Sequence, residues 1–229
     1  MKGSFAPVHG LWGLCFVLSV YATAMAQTEP AKPEGEKKPA EAKPAEPKPA
    51  PAVANPRVKM ETTLGSIVLE LDAQKAPISV ENFMQYVRGK FYDGTIFHRI
   101  VPTFMIQGGG FLPDLTEKSA GIRESIKNES ENGLKNVRGS IAMARRNDPN
   151  SATCQFFINV VDNARLDGAP NRPGYSVFGR VVEGMETVDK IKGTETKTDP
   201  KFPEPNTVPV TPVVIQSVTV LETASGSKP

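Results

Sequence analysis

The sequence is poor in the residues that most often carry covalent or metal chemistry. Its 229 residues include two cysteines, Cys15 and Cys154, and two histidines, His9 and His98. Cys15 and His9 fall in an N-terminal segment that reads as an export signal, so the chain beyond it keeps one residue of each kind. A single cysteine excludes an intrachain disulfide. A single histidine excludes a histidine-based metal cluster, and no metal site is expected. A Ser-His-Asp relay would have to run through His98, and no Gly-x-Ser-x-Gly turn accompanies it. Charge of one sign is also missing. With 27 Lys and Arg against 25 Asp and Glu the net charge is +2, which gives no electrostatic footprint for nucleic acid. The glycines at 108–110 are not followed by the Gly-Lys-Ser/Thr of a phosphate loop and suit a tight corner instead. No cofactor is expected.

Composition divides the chain into regions. Residues 1–26 carry Lys2, an apolar run at 11–21 and Ala24-Met25-Ala26, the small-x-small pattern after which signal peptidase cuts. The run is short of the roughly 20 residues that a membrane span needs. Cleavage after Ala26 and export, most simply to a periplasm, are the expectation; an uncleaved segment would act as a membrane tether. Residues 27–56 hold eight prolines, five lysines and five glutamates with little apolar bulk, and read as an extended, disordered linker. Residues 57–222 are long enough for one domain with its own core, and 223–229 read as a flexible tail.

Inside the domain the apolar pattern is mostly period two. Residues 58–62 and 66–71 flank a turn at Gly65 and read as a hairpin. Pro77 opens a helix in which Val80, Phe83, Met84 and Val87 recur at helical spacing before Gly89. Short apolar runs follow at 96–100, 104–107, 141–144, 155–160 and 177–181, separated by Gly, Pro, Asn and Asp. A second short helix fits 185–191, and 213–221 alternates as a last strand. Many short strands with few helices suit a closed barrel or a sandwich, and periodicity alone does not choose between them.

Two blocks stand out. Phe97-His-Arg-Ile-Val-Pro-Thr-Phe-Met-Ile-Gln-Gly-Gly-Gly110 sets one arginine and one glutamine among large apolar side chains. A guanidinium is rarely left among such neighbours without a partner or a task. The second block is Ser151-Ala-Thr-Cys-Gln-Phe-Phe-Ile-Asn159. Both resemble signatures of the cyclophilin family of peptidyl-prolyl isomerases, and the likeness extends from about Val58 to Leu221. It is closest to the exported bacterial members. The resemblance implies a mostly β fold: a closed, eight-stranded antiparallel barrel capped by two α-helices. It also implies a monomeric, cofactor-free enzyme that speeds cis–trans rotation about Xaa-Pro bonds in unfolded or partly folded polypeptides.

Such a reaction calls for few polar groups. An amide is held planar by a barrier of about 18–20 kcal/mol because rotation breaks the conjugation of the nitrogen lone pair. A fixed donor near the prolyl nitrogen stabilises that lone pair once it localises, while an apolar pocket grips the ring. By resemblance Arg99 is the catalytic arginine, Gln107 the glutamine that holds it and bonds substrate backbone, and Phe104 a catalytic-pocket residue. Met105 and Phe157 match pocket residues, Leu166 the rim, and Ala144 the adjoining groove. Gln155 faces that groove and either contacts substrate or supports the core.

Two positions depart from the animal pattern. Tyr175 stands where a pocket histidine is usual there, and Arg165 stands where a tryptophan precedes the rim leucine. The second change implies weak cyclosporin binding with isomerase activity retained. Arg145 and Arg146 follow Ala144, and either join Arg99 along the groove, favouring acidic clients, or form ordinary solvated surface. The alternative to an enzyme is a non-catalytic module or chaperone that holds proline peptides on the same fold. Such copies usually lack the arginine, and here Arg99, Phe104, Gln107 and Phe157 are all present.

Overall fold

Successive alternating segments build a barrel in the computed structural model, which describes residues 55–221. The expected signal at 1–26, nearly all of the expected linker at 27–56 and the expected tail at 223–229 lie outside the described residues. The first two strands, β1 (Arg57–Thr62) and β2 (Gly65–Leu71), form the hairpin. Then come α1 (Pro77–Arg88), β3 (Ile96–Val101), β4 (Met105–Gly108), β5 (Ser140–Met143) and β6 (Phe156–Asn159). A 3-10 turn at Ala164–Leu166 leads to β7 (Val177–Glu183) and α2 (Met185–Lys192). A short ribbon of β8 (Thr196–Lys197) and β9 (Val208–Pro209) precedes β10 (Val213–Leu221). Eight strands close in the order β1-β10-β3-β4-β6-β5-β7-β2, which leaves no barrel edge to be covered.

The choice left open by periodicity falls to the barrel. Its interior holds Val58, Met60, Ile67 and Leu69 from the hairpin with Ile106, Ile141 and Ile158 from the central strands. An aromatic group tightens it: Phe83 lies 5.0 Å from Tyr92, 5.7 Å from Phe156 and 5.3 Å from Phe178, centroid to centroid. α1 packs against β10 and β7, and α2 against β2, β3 and β4. Val80, Phe83, Met84 and Val87 are all buried, as their helical spacing requires. No side chain at Ala76 caps α1. The Glu129 carboxylate does so from a distant loop, accepting the N–H of Ile78 at 3.0 Å and of Ser79 at 2.8 Å. Negative charge there offsets the unpaired donors of the first turn. Among the described residues no helix is long and apolar enough to cross a membrane.

Strands β5 and β6 are buried at every position. Their alternate residues serve two clusters, one on each face of the sheet. Ile141, Phe156 and Ile158 point into the barrel, while Ala142 and Phe157 join Met105 and Val177 in a smaller cluster on the outside. Register enforces the division, since Ala142 pairs with Phe157 and with Val177. That outer cluster is where the polar groups gather.

Candidate active site

A β-bulge aims Arg99. Across β3 and β4, Phe97 pairs with Gly108 but Arg99 pairs with Gln107, so His98 is the extra residue. Two residues apart on a regular strand, Phe97 and Arg99 would share a face. The extra residue lets Phe97 enter the barrel core while Arg99 stands outside, beside Met105 and Gln107.

Arg99 Nη1 donates to Gln107 Oε1 at 3.3 Å and lies 3.8 Å from Met105 Sδ. Gln107 Nε2 donates in turn to Gln155 Oε1 at 2.9 Å. The relay fixes which end of the Gln107 amide meets the cation. Gly110 makes room for it: a Cβ there would lie 2.6 Å from Cγ and Nε2 of Gln155. At Gly109, with φ +84°, a Cβ would meet the rings of Phe156 and Tyr92 at 2.8 Å. The glycine run therefore answers a demand for close packing.

Beside the relay lies the apolar floor of Met105, Ala142, Phe157 and Val177, with Phe104, Ala144, Leu166 and Tyr175 packed against it. The Phe157 and Tyr175 rings meet edge to face at 5.5 Å. All nine side chains expected at the site (Arg99, Phe104, Met105, Gln107, Ala144, Gln155, Phe157, Leu166 and Tyr175) thus gather on one outer face of the barrel. Ala142, Val177 and Leu134 complete the floor. The first two were findable only through the register, in which Ala142 pairs with Phe157 and Val177 with Ala142.

Buried amides hold the rim. Asn163 Nδ2 donates to the Phe104 carbonyl at 2.8 Å and to Asn159 Oδ1 at 2.7 Å, and Tyr175 N–H donates to the Leu166 carbonyl at 2.9 Å. Asp167, next to Leu166, accepts both the backbone and side-chain N–H of Asn136. Burial opposes its ionisation, but those bonds and the nearby Lys135 hold its carboxyl below the usual range.

The three-arginine rim needs correction. Arg145 is taken up by carbonyls of Arg146, Asn147, Pro173 and Gly174, and its guanidinium lies 4.6 Å from the centre of the Tyr175 ring. It buttresses Tyr175 and is neither free along the groove nor idle surface. Arg165 lies over the other flank, 4.7 Å from the centre of Phe104. His98 is no base: burial chiefly, with the Arg99 charge nearby and against a hydrogen bond at Ile96, lowers its pKa to about 3. Asn128, which opens the glycosylation pattern Asn128-Glu-Ser130, spends its amide on the carbonyls of Pro149 and Gly174. A hollow of about 930 Å³ between α1 and residues 121–126 holds none of the gathered side chains.

Comparison with known proteins gives the same answer by another route. Residues 57–220 match the family model described as cyclophilin type peptidyl-prolyl cis-trans isomerase. The chain is 54% identical over 167 residues to peptidyl-prolyl cis-trans isomerase cyp18 of Streptomyces antibioticus, covering 72% of this chain and 98% of that protein. It is 50% identical over 171 residues to peptidyl-prolyl cis-trans isomerase A of Dickeya dadantii, covering 75% of this chain and 87% of the relative. A crystal structure of a cyclophilin-type isomerase from Cryptosporidium parvum superposes with a TM-score of 0.61 at 25% identity, over 74% of this chain and 99% of that one. A second structure of that protein was determined in the presence of the dipeptide Ala-Pro, with a TM-score of 0.60 at 26% identity over 73% of this chain and 99% of that one.

Proposed function

Because this chain belongs to the cyclophilin-type peptidyl-prolyl cis-trans isomerase family and is such an isomerase, we propose that Arg99 is its catalytic donor and that its clients are exported polypeptides. The observation that carries the site assignment is the Arg99 guanidinium, steered by Gln107, at the border of the Met105–Phe157 floor.

The prolyl ring sits on Phe157, walled by Phe104, Met105, Leu166 and Tyr175. Arg99 points an N–H at the prolyl nitrogen, where the lone pair localises as the amide twists. That interaction is stronger in the twisted state than in either planar isomer, which is the condition for acceleration. Gln107 bonds the substrate backbone while keeping Arg99 in place, and Gln155 steadies Gln107. Ala144 leaves the adjoining groove open for the residues that precede proline. No bond is made or broken and no proton moves, which agrees with a site whose one nearby histidine stays neutral. With Arg165 over Phe104, cyclosporin binding is expected to be weak.

Export rests on the apolar run at 11–21 and the Ala24-Met25-Ala26 cleavage pattern. The protein acts as a monomer outside the cytoplasm, in the periplasm, on chains that are still folding. Two experiments test these statements. Titrating an Ala-Pro peptide into labelled protein should shift amide signals at residues 99–107, 142–144, 155–157 and 166–175; shifts centred elsewhere would remove the site. Mass spectrometry of the mature protein should find Gln27 at its N-terminus, and retention of Met1 would contradict cleavage.

A further inference from the structure

Arg99 has a second partner, 105 residues downstream, which nothing in its local sequence announces. Glu204 lies between β8 and β9, and its Oε2 accepts Arg99 Nε at 3.0 Å. Both carboxylate oxygens lie 2.6 Å from Arg99 Nη2. A guanidinium presents five N–H groups in one plane. Glu204 takes the edge formed by Nε and Nη2, and Gln107 takes Nη1 from the opposite side. Two lateral holds thus define the plane of the donor.

The segment bearing Glu204 is seated by specific contacts. Phe202 stacks on His98 at 5.7 Å and meets Phe111 edge-on at 5.3 Å. Ile100 N–H donates to the Thr207 carbonyl at 2.7 Å, and Thr207 Oγ1 donates to the Glu204 carbonyl at 3.0 Å. Lys201 Nζ reaches the Leu115 carbonyl at 3.3 Å. His98 is the extra residue of the bulge. One irregularity in β3 therefore turns Arg99 outward and also offers the ring on which the counter-ion's segment docks.

We infer that Glu204 is a positioning residue for the isomerase reaction, holding the Arg99 guanidinium in the plane from which it reaches the prolyl nitrogen. This deepens the reading of Arg99 as the donor and rests on it. A bidentate, charge-assisted pair restricts the cation to one orientation. Without the carboxylate, Arg99 keeps one hydrogen bond, to Gln107, with weaker contacts to Met105 and Phe104, and spends part of its time misaligned. Peptide affinity, set by the apolar floor, is retained while turnover falls. The carboxylate also tempers the positive field at the prolyl nitrogen, and if that effect prevailed its removal would speed the reaction.

The test uses the full chain as wild type, Glu204→Gln, Arg99→Ala and the double variant, with NMR exchange and peptide titration on an Ala-Pro substrate. Glu204 is a half-exposed side chain, so the variant is expected to fold, and its melting temperature checks this. Glu204→Gln should lower turnover about two- to fivefold, the range of an exposed ion pair, with peptide affinity unchanged within about twofold. In the Arg99→Ala background the same change should have no effect. Unchanged or faster turnover in Glu204→Gln overturns the inference, as does an equal loss in both backgrounds. If Arg99→Ala itself keeps the wild-type rate, the failure belongs to the reading of Arg99.

Discussion

Arg99 and Gln107 are Cα partners across β3 and β4, and their side chains meet at 3.3 Å on the outer face of the barrel. The Gln107 amide adds a neutral hold to the charged one that Glu204 provides. It orients the guanidinium by accepting one hydrogen bond and is itself oriented by Gln155.

The relay can be broken at its far end. In Gly110→Ala the new methyl displaces the Gln155 side chain and deprives Gln107 Nε2 of its acceptor. Turnover should fall less than in Gln107→Leu, where loss of a bond to a charged group costs about tenfold. Exchange rates for both variants check the order. A Gly110→Ala protein as fast as wild type would mean that Gln155 does not serve Gln107.

Phe157 is buried, so its truncation affects both folding and binding. Phe157→Ala should lower stability by about 3 kcal/mol, as expected for loss of a buried ring, and weaken peptide binding by at least about tenfold. Chemical denaturation and peptide titration measure the two separately. Lost stability with unchanged affinity would make Phe157 a packing residue alone.

Much of this was legible in the sequence, for physical reasons. The hairpin and both helices follow from periodicity; the last strand does so only in part, because a bulge at Gln216 shifts burial from Ile215 to Val218 and leaves Val220 exposed. The central strands are harder, because β5 and β6 are buried at every position and no polar face marks the outside. Periodicity alone could not separate barrel from sandwich or tell Phe156 in the core from Phe157 at the site. The resemblance to known signatures supplied both answers. Glu204 and Phe202 were not legible at all. They stand in a proline-rich loop with no apolar periodicity to mark them, and the bulge at His98 is what brings them to Arg99.

Acid should destabilise the fold through His98. Its folded pKa is about 3 against an ordinary 6.5, and its Nδ1 has no hydrogen-bond partner. Above 6.5 the ring is neutral in both states and stability is full. Between 6.5 and 3 the unfolded chain takes up a proton that the folded chain refuses, so stability falls by up to about 1.4 kcal/mol per pH unit. Carboxyls held low by partners, such as Asp167 and Asp189, add the same trend only at the acid end. Denaturation curves at pH 7, 5.5 and 4.5 should show the slope in wild type and lose most of it in His98→Asn. An equal slope in both would remove His98 as its source.

Cys154 should be inert while the protein is folded. It is buried, and burial raises its thiol pKa. Alkylation by iodoacetamide at pH 8 should be negligible until denaturant is added. Rapid labelling of the native protein would show that this part of the barrel opens.

The most direct measurement is cis–trans exchange of a short Ala-Pro peptide by NMR, with the full chain and its Arg99→Ala variant at equal concentration. The wild type should accelerate exchange strongly, and the variant should lose about a hundredfold, the usual cost of removing one preorganised donor, while still binding the peptide. Equal exchange in the two proteins would contradict Arg99 as the group that stabilises the twisted amide.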